Sequence, residues 1–306
     1  MSKQKIQTVL IYGYGVMGRG VARTFAAAGF DTIVRSSRAA ELTDLPAGVR
    51  AVDQLPDTPP DLVLELVPEQ VPTKQKVYLE VEAKYPGADV IIATGTSGLD
   101  LVELARPLKH PERFVGLHYF MPADQTLVVE VMAGPSTPPA LVDLAAEALR
   151  KTGKEPVVLY KPIVGFLVNR LQHAILHEAY YLIEQGVASA ADIDHAARRM
   201  LAPRMCLNGL IQQKDISGLT IHADAQASIV PQLVHNNVAN PMLQTMVKAG
   251  ETGLAAGKGF YDWSGCDTDA VRKQASQQLG RLTEFLDSGA ATPAPGTQPK
   301  PRDPRR

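Results

Sequence analysis

The chain has 306 residues, 45% hydrophobic and 21% charged, with 31 basic against 32 acidic side chains. That length accommodates two ordinary domains and that balance is a folded globular protein's, not a disordered or fibrous chain's. Near-zero net charge gives no overall attraction to nucleic acid or an anionic membrane, so recognition of a small-molecule substrate by a local site is expected.

Cys206 and Cys266 show no paired spacing, so neither a disulfide framework nor a metal site is expected. The first residues are polar and lead into the apolar run Thr8 to Ile11, too short for a signal peptide or membrane span. A cytoplasmic location is expected.

In chain order, Val9 to Tyr12 reads as a buried strand, Gly18 to Ala28 as an alanine-rich helix closing at Gly29, and Asp31 to Arg35 as a second strand. Strands over Leu62 to Leu66, Val90 to Ala93, Phe114 to Leu117, Leu127 to Val131 and Pro156 to Tyr160 follow, with a helix across Lys74 to Lys84. From Val168 helical patterns (Arg170 to Gln185, Ser189 to Leu201, Met242 to Ala249) succeed one another without strands. The expected fold is an α/β Rossmann domain with a mostly parallel, doubly wound sheet, followed by an all-α C-terminal domain. The expected bounds are 1–164 for dinucleotide binding, 165–287 for a helical substrate and dimerisation domain, and 288–306 for a Pro-, Ala- and Gly-rich disordered tail.

Between the first strand and helix stands Gly13-Tyr14-Gly15-Val16-Met17-Gly18. The first glycine permits a tight turn, the second lets backbone approach a pyrophosphate, and the third allows close helix packing. The helix then offers unpaired N–H groups to the phosphates. The loop, Val16 and Met17 included, is therefore expected to bind a nicotinamide dinucleotide. At the end of the second strand, where NAD-binding versions place a carboxylate, this chain has Arg35-Ser36-Ser37-Arg38. Two hydroxyls and two guanidiniums suit a 2′-phosphate, so NADP(H) is expected over NAD(H), with NAD(H) as the alternative.

His118 follows the apolar run Phe114 to Leu117, at the strand end where open α/β sheets bind ligands. Glu130 lies in the next apolar run. If the two strands are neighbours, the carboxylate orients the imidazole as a general acid or base.

With these segments in place, the chain resembles the 3-hydroxyacyl-CoA dehydrogenase family over most of its length. The matching pieces are Gly13 to Gly18, Val67-Pro68-Glu69, Thr96-Ser97, Gly116 to Pro122, Gly165 to Arg170 and Gly257 to Asp262. The resemblance implies that His118 exchanges the hydroxyl proton, Glu130 pairs with it, Ser97 hydrogen-bonds the reacting oxygen, and Asn169 holds the substrate carbonyl or orders the site. It also implies that Glu69 and Lys74 line the nicotinamide-ribose side of the pocket, and that the helical domain forms a homodimer through apolar faces such as Ile175 to Ile183.

The chain departs from that family in two respects. Members acting on acyl-CoA carry a long helical hairpin after the second strand, whereas here Ala39 to Pro60 holds four prolines and leaves no room for two sizeable helices. Gly95 and Met121 replace two family asparagines. The expected activity is hydride transfer between the nicotinamide and a secondary alcohol or ketone, in a small 3-hydroxy or 3-oxo acid. A genuine 3-hydroxyacyl-CoA dehydrogenase, an imine reductase and a crystallin-like binding protein are the alternatives.

Overall fold

The computed structural model describes residues 5–288 and 299–300. The disordered tail expected at 288–306 lies outside them, apart from Ser288, Pro299 and Lys300. The chain divides into two compact units, up to Gln172 and from His173.

The first unit is built on eight strands: β1 (Thr8–Tyr12), β2 (Asp31–Arg35), β3 (Val49–Val52), β4 (Leu62–Glu65), β5 (Ile91–Thr94), β6 (Phe114–Tyr119), β7 (Val128–Ala133) and β8 (Glu155–Leu159). Their order across the sheet is β3-β2-β1-β4-β5-β6-β7-β8. Neighbours run parallel except β6 and β7, which are antiparallel. The central strands β4 and β5 are buried at every position, as expected of parallel strands covered on both faces.

Helices α1 (Val16–Ala27), α2 (Val71–Lys84), α3 (Leu101–Ala105) and α4 (Pro139–Lys151) cover the sheet. One core joins Val21 and Phe25 of α1 and Val142 and Leu149 of α4 to Val9, Ile11 and Val131. The other joins Val77 and Tyr78 of α2 and Leu101 and Leu104 of α3 to Leu10, Val63 and Ile92. The sheet is thus doubly wound, and one face packs α1 with α4 while the other packs α2 with α3.

Among the strands and helices of this unit, β3, the five-residue α3 and α4 were not foreseen. Strand β3 is a four-residue edge strand without a fully buried residue, too short and too exposed to leave a periodic signal. Helix α4 opens on Pro139 and buries Val142, Ala145, Ala146, Ala148 and Leu149, the stripe of an amphipathic helix.

Helix α5 (Val168–Glu184) contains the division between the units. The second unit, apart from the end of α5, contains α6 (Ala190–Ala196), α7 (Ala202–Asn208), α8 (Gln212–Ser217), α9 (Leu219–Ile229), α10 (Pro241–Lys248) and α11 (Thr268–Asp287). Helix α6 starts on a capping box between Ser189 and Asp192. Within this unit Tyr180 stacks on Phe260 at 5.7 Å, and Val234 N–H donates to Glu178. The segment Gly257 to Trp263 folds back through single bridges of Lys258 to Gly253 and to Asp262. Among the described residues, no helix is long and apolar enough to cross a membrane.

Candidate active site

Strand β1 ends in a glycine turn that leads into α1. Gly13 has φ +110°, and a Cβ there would lie 2.8 Å from the Leu66 carbonyl oxygen. A Cβ on Gly18 would collide with the Gly13 carbonyl, whereas one on Gly15 would meet nothing within 4 Å. The first and third glycines are thus required by packing, and the second faces open space. Gly15 is the N-cap of α1 without a side-chain cap bond, and Val16 is 76% exposed. Uncapped N–H groups behind an open glycine fit a pyrophosphate.

After β2, the Arg35 guanidinium lies 4.6 Å from the centre of the Tyr12 ring and 4.0 Å from Glu80. Tyr12 hydroxyl donates to Glu80; burial first, then that bond and the carboxylate's charge, push its pKa up to about 12. Arg35 thus lies over the Tyr12 ring, and its buried Nε has no hydrogen-bond partner. Ser36 accepts from Arg38 N–H, while Ser37 and Arg38 are exposed.

The His118 and Glu130 side chains meet because β6 and β7 run antiparallel with these two residues in register. His118 sits within β6 rather than after it. Its Nδ1 is 2.7 Å from Glu130 Oε2, and the carboxylate is fully buried. The other oxygen, Oε1, accepts the N–H groups of Leu167 at 2.8 Å and Val168 at 2.9 Å, at the start of α5. Burial alone would raise the Glu130 pKa, but these donors hold it below the usual carboxylate value. An ionised carboxylate only accepts, so Nδ1 is the protonated nitrogen in this pair.

The imidazole is packed between Phe120 at 4.5 Å and Phe166 at 5.0 Å. Phe166 is fully buried with φ +52°, a conformation that costs a non-glycine residue. Its ring fits because Gly116 lacks a side chain: a Cβ there would come within 3.1 Å of it.

Strand β5 pairs with β6, so the Thr96-Ser97 turn leaves the sheet beside His118. Glu69 accepts from the Thr96 hydroxyl, from Ser97 N–H at 2.8 Å and from the Ser97 hydroxyl at 3.3 Å. Burial would raise the Glu69 pKa; the Thr96 bond, the Lys74 charge and Ser97 N–H outweigh it and lower it. Asn169 Nδ2 donates to the Ser97 carbonyl at 2.9 Å. Lys74 is 1% exposed and lies between Glu65 and Glu69.

The structure thus gathers His118, Glu130, Ser97, Asn169, Glu69 and Lys74 along the ends of β4 to β6, with the glycine loop at the end of β1. Sequence reasoning missed Phe166 and Glu65. The signal for Glu65 was a carboxylate inside the otherwise apolar run Leu62 to Leu66.

Two protein-family models match, the 3-hydroxyacyl-CoA dehydrogenase NAD binding domain over residues 47–163 and its C-terminal domain over residues 165–263. A 5-formyl-3-hydroxy-2-methylpyridine 4-carboxylate 5-dehydrogenase of Mesorhizobium japonicum is 28% identical, aligned over 92% of this chain and 99% of its own. A solved structure of an enzyme of that name, described as an NAD+ dependent dismutase, superposes with TM-score 0.83 at 28% identity, over 92% of this chain and 99% of its own. A 3-hydroxybutyryl-CoA dehydrogenase of Bradyrhizobium diazoefficiens is 29% identical over 85% of this chain and 96% of its own. The 3-hydroxyacyl-CoA dehydrogenase structure from Archaeoglobus fulgidus gives TM-score 0.67 at 28% identity, over 93% of this chain and 99% of its own.

The lowered pKa values of Glu69 and Glu130 set the acid response. Each carboxylate contributes stability that is present above its unfolded pKa of about 4.3 and is lost as pH falls through the lower folded value. Urea midpoints should therefore fall steeply below about pH 4.3 in the parent chain and less steeply in Glu130→Gln. Equal acid slopes would contradict this account of Glu130.

Proposed function

The chain belongs to the 3-hydroxyacyl-CoA dehydrogenase family, and we propose that within it this NAD(P)-dependent oxidoreductase acts on small 3-hydroxy or 3-oxo acids, with His118 moving the proton. The carrying observation for the chemistry is the His118–Glu130 pair, which fixes Nδ1 as donor and turns Nε2 toward ligand duty. In the oxidising direction Nε2 takes the hydroxyl proton as the carbinol carbon loses its hydrogen; in the reducing direction it returns the proton. Ser97 and Asn169 hold the reacting oxygen and its neighbouring carbonyl. The glycine loop and α1 hold the pyrophosphate, and the nicotinamide supplies the two-electron chemistry when bound.

Substrate size follows from the connection between Arg35 and Val49. It contains only the 3-10 turn Ala39–Glu41, so the chain lacks the helical platform that would hold a CoA tail. A small carboxylate agrees with the pyridine carboxylate named for the M. japonicum relative. That relative favours a second reading, in which the carbonyl is an aromatic aldehyde.

For the cofactor, exposed Ser37 and Arg38 beside Ser36, together with Arg35 whose Nε has no hydrogen-bond partner, support NADP(H) over NAD(H). For assembly, Asn240 is the one buried residue among the described residues from His173 onward, although Ile175, Met200, Leu201, Ile211 and Val247 are all at least 42% exposed. A groove of about 680 Å³ along Ile175, Ala179, Leu182, Met200 and Leu233 leaves this helical unit without a closed core. We take a second copy of the chain to cover it, as a twofold homodimer.

Steady-state rates with NADPH and NADH on small 3-oxo acids, aromatic aldehyde carboxylates, cyclic imines and acetoacetyl-CoA test these readings together. The small acids should exceed acetoacetyl-CoA, and NADPH should exceed NADH until Arg38→Asp reverses the order. His118→Asn should lower turnover by about 100-fold or more with cofactor affinity unchanged. Full activity of that variant removes His118 from the proton step, and tight cofactor binding with no turnover of any compound favours a binding protein. Light scattering at micromolar concentration should return a dimer mass; a monomer mass refutes the assembly.

A further inference from the structure

Strand β4 ends on a carboxylate with no access to solvent. Glu65 Oε1 accepts Val67 N–H at 2.8 Å and the Lys74 ammonium at 2.8 Å, and Oε2 accepts the Tyr78 hydroxyl at 2.8 Å and the Thr94 hydroxyl at 3.0 Å. The Lys74 ammonium, with three N–H donors, meets three acceptors: Glu65, Glu69 Oε2 at 3.1 Å and the Val67 carbonyl at 3.4 Å. Each of its donors is thus within reach of an acceptor of the protein. Its outer partner, Glu69, is 41% exposed, and a glutamate that exposed would ordinarily sample several rotamers.

We infer that Glu65 and Lys74 are positioning residues: their buried ion pair anchors Glu69, so that Glu69 holds the Thr96-Ser97 turn, and with it Asn169, next to His118. Anchoring Oε2 on Lys74 leaves Oε1 to receive Thr96 and Ser97, and the Ser97 carbonyl is in turn the acceptor for Asn169. Stability alone gives little reason for two charges here, since a buried ion pair replaced by neutral groups of similar volume is often no less stable. A positional role does need the charges, because only the ammonium pins Glu69 from below.

The role rests on the reading of Ser97 and His118 as groups at the reacting carbon, so the test has one arm that needs no turnover. In the ligand-free protein, Ser97 amide hydrogen exchange should be slow, and at least about tenfold faster in Glu65→Gln/Lys74→Met. In turnover that double variant should lose about tenfold or more in kcat with KM for cofactor within about threefold, as should Glu69→Gln. The triple variant should lose no more, because all three substitutions act through one carboxylate. If the double variant does not fold, Glu65→Asp, which draws Lys74 back from Glu69, should show the same faster exchange. Parent-like Ser97 exchange in a folded variant, or additive kcat losses, overturns the inference. Absence of turnover in the parent chain instead refutes the functional reading and leaves the exchange result to decide the placement.

Discussion

The site depends on keeping one carboxylate ionised where water does not reach it. Glu130 is fully buried, and removing a carboxylate from water costs several kcal/mol. It accepts from His118 Nδ1, Leu167 N–H and Val168 N–H, and hydrogen bonds to a charged group contribute about 1.5 to 3 kcal/mol each. Three such bonds outweigh the burial, in agreement with a pKa below the ordinary value. These three donors have two structural origins. The imidazole comes from antiparallel pairing of β6 and β7, and the two amides come from the turn through Phe166 into α5.

That turn explains why a strained residue persists at Phe166. A left-handed conformation aims the next two N–H groups at Glu130, while the Phe166 ring packs under His118 in space left by Gly116. Asn169, one residue further on, bonds the Ser97 carbonyl, which Glu69 holds through the adjacent N–H. The segment from Phe166 to Asn169 therefore joins two carboxylate-centred networks, one orienting His118 and the other the turn at Thr96-Ser97. Fixed donors and acceptors of this kind supply orientation, the protein's share of a reaction whose electrons come from a cofactor.

Local patterns carried much of this into the sequence. The glycine loop was legible because Gly13 and Gly18 answer steric demands while Gly15 keeps the helix start open, and the strands because buried parallel strands are continuous apolar runs. The His118–Glu130 pair was legible only as a conditional, since it required neighbouring strands, and their antiparallel register is a tertiary fact. The pairing of Glu65 with Lys74 was obscured for a similar reason: nothing in the spacing tells that both lie in the interior and face each other. Arg35 reads as a phosphate ligand from its position, and nothing in the sequence tells that its guanidinium lies over the ring of Tyr12, distant in sequence. The uncovered apolar surface of the helical unit belongs to the same class, because periodicity marks an apolar face without saying what meets it.

The central claim is that Glu130 fixes the His118 tautomer, and nitrogen-15 NMR of the imidazole in mildly alkaline buffer tests it most directly. The account predicts a proton on Nδ1 and an unprotonated Nε2, with this preference lost in Glu130→Leu. A parent spectrum with the proton on Nε2, or a tautomer unchanged by that substitution, would contradict it.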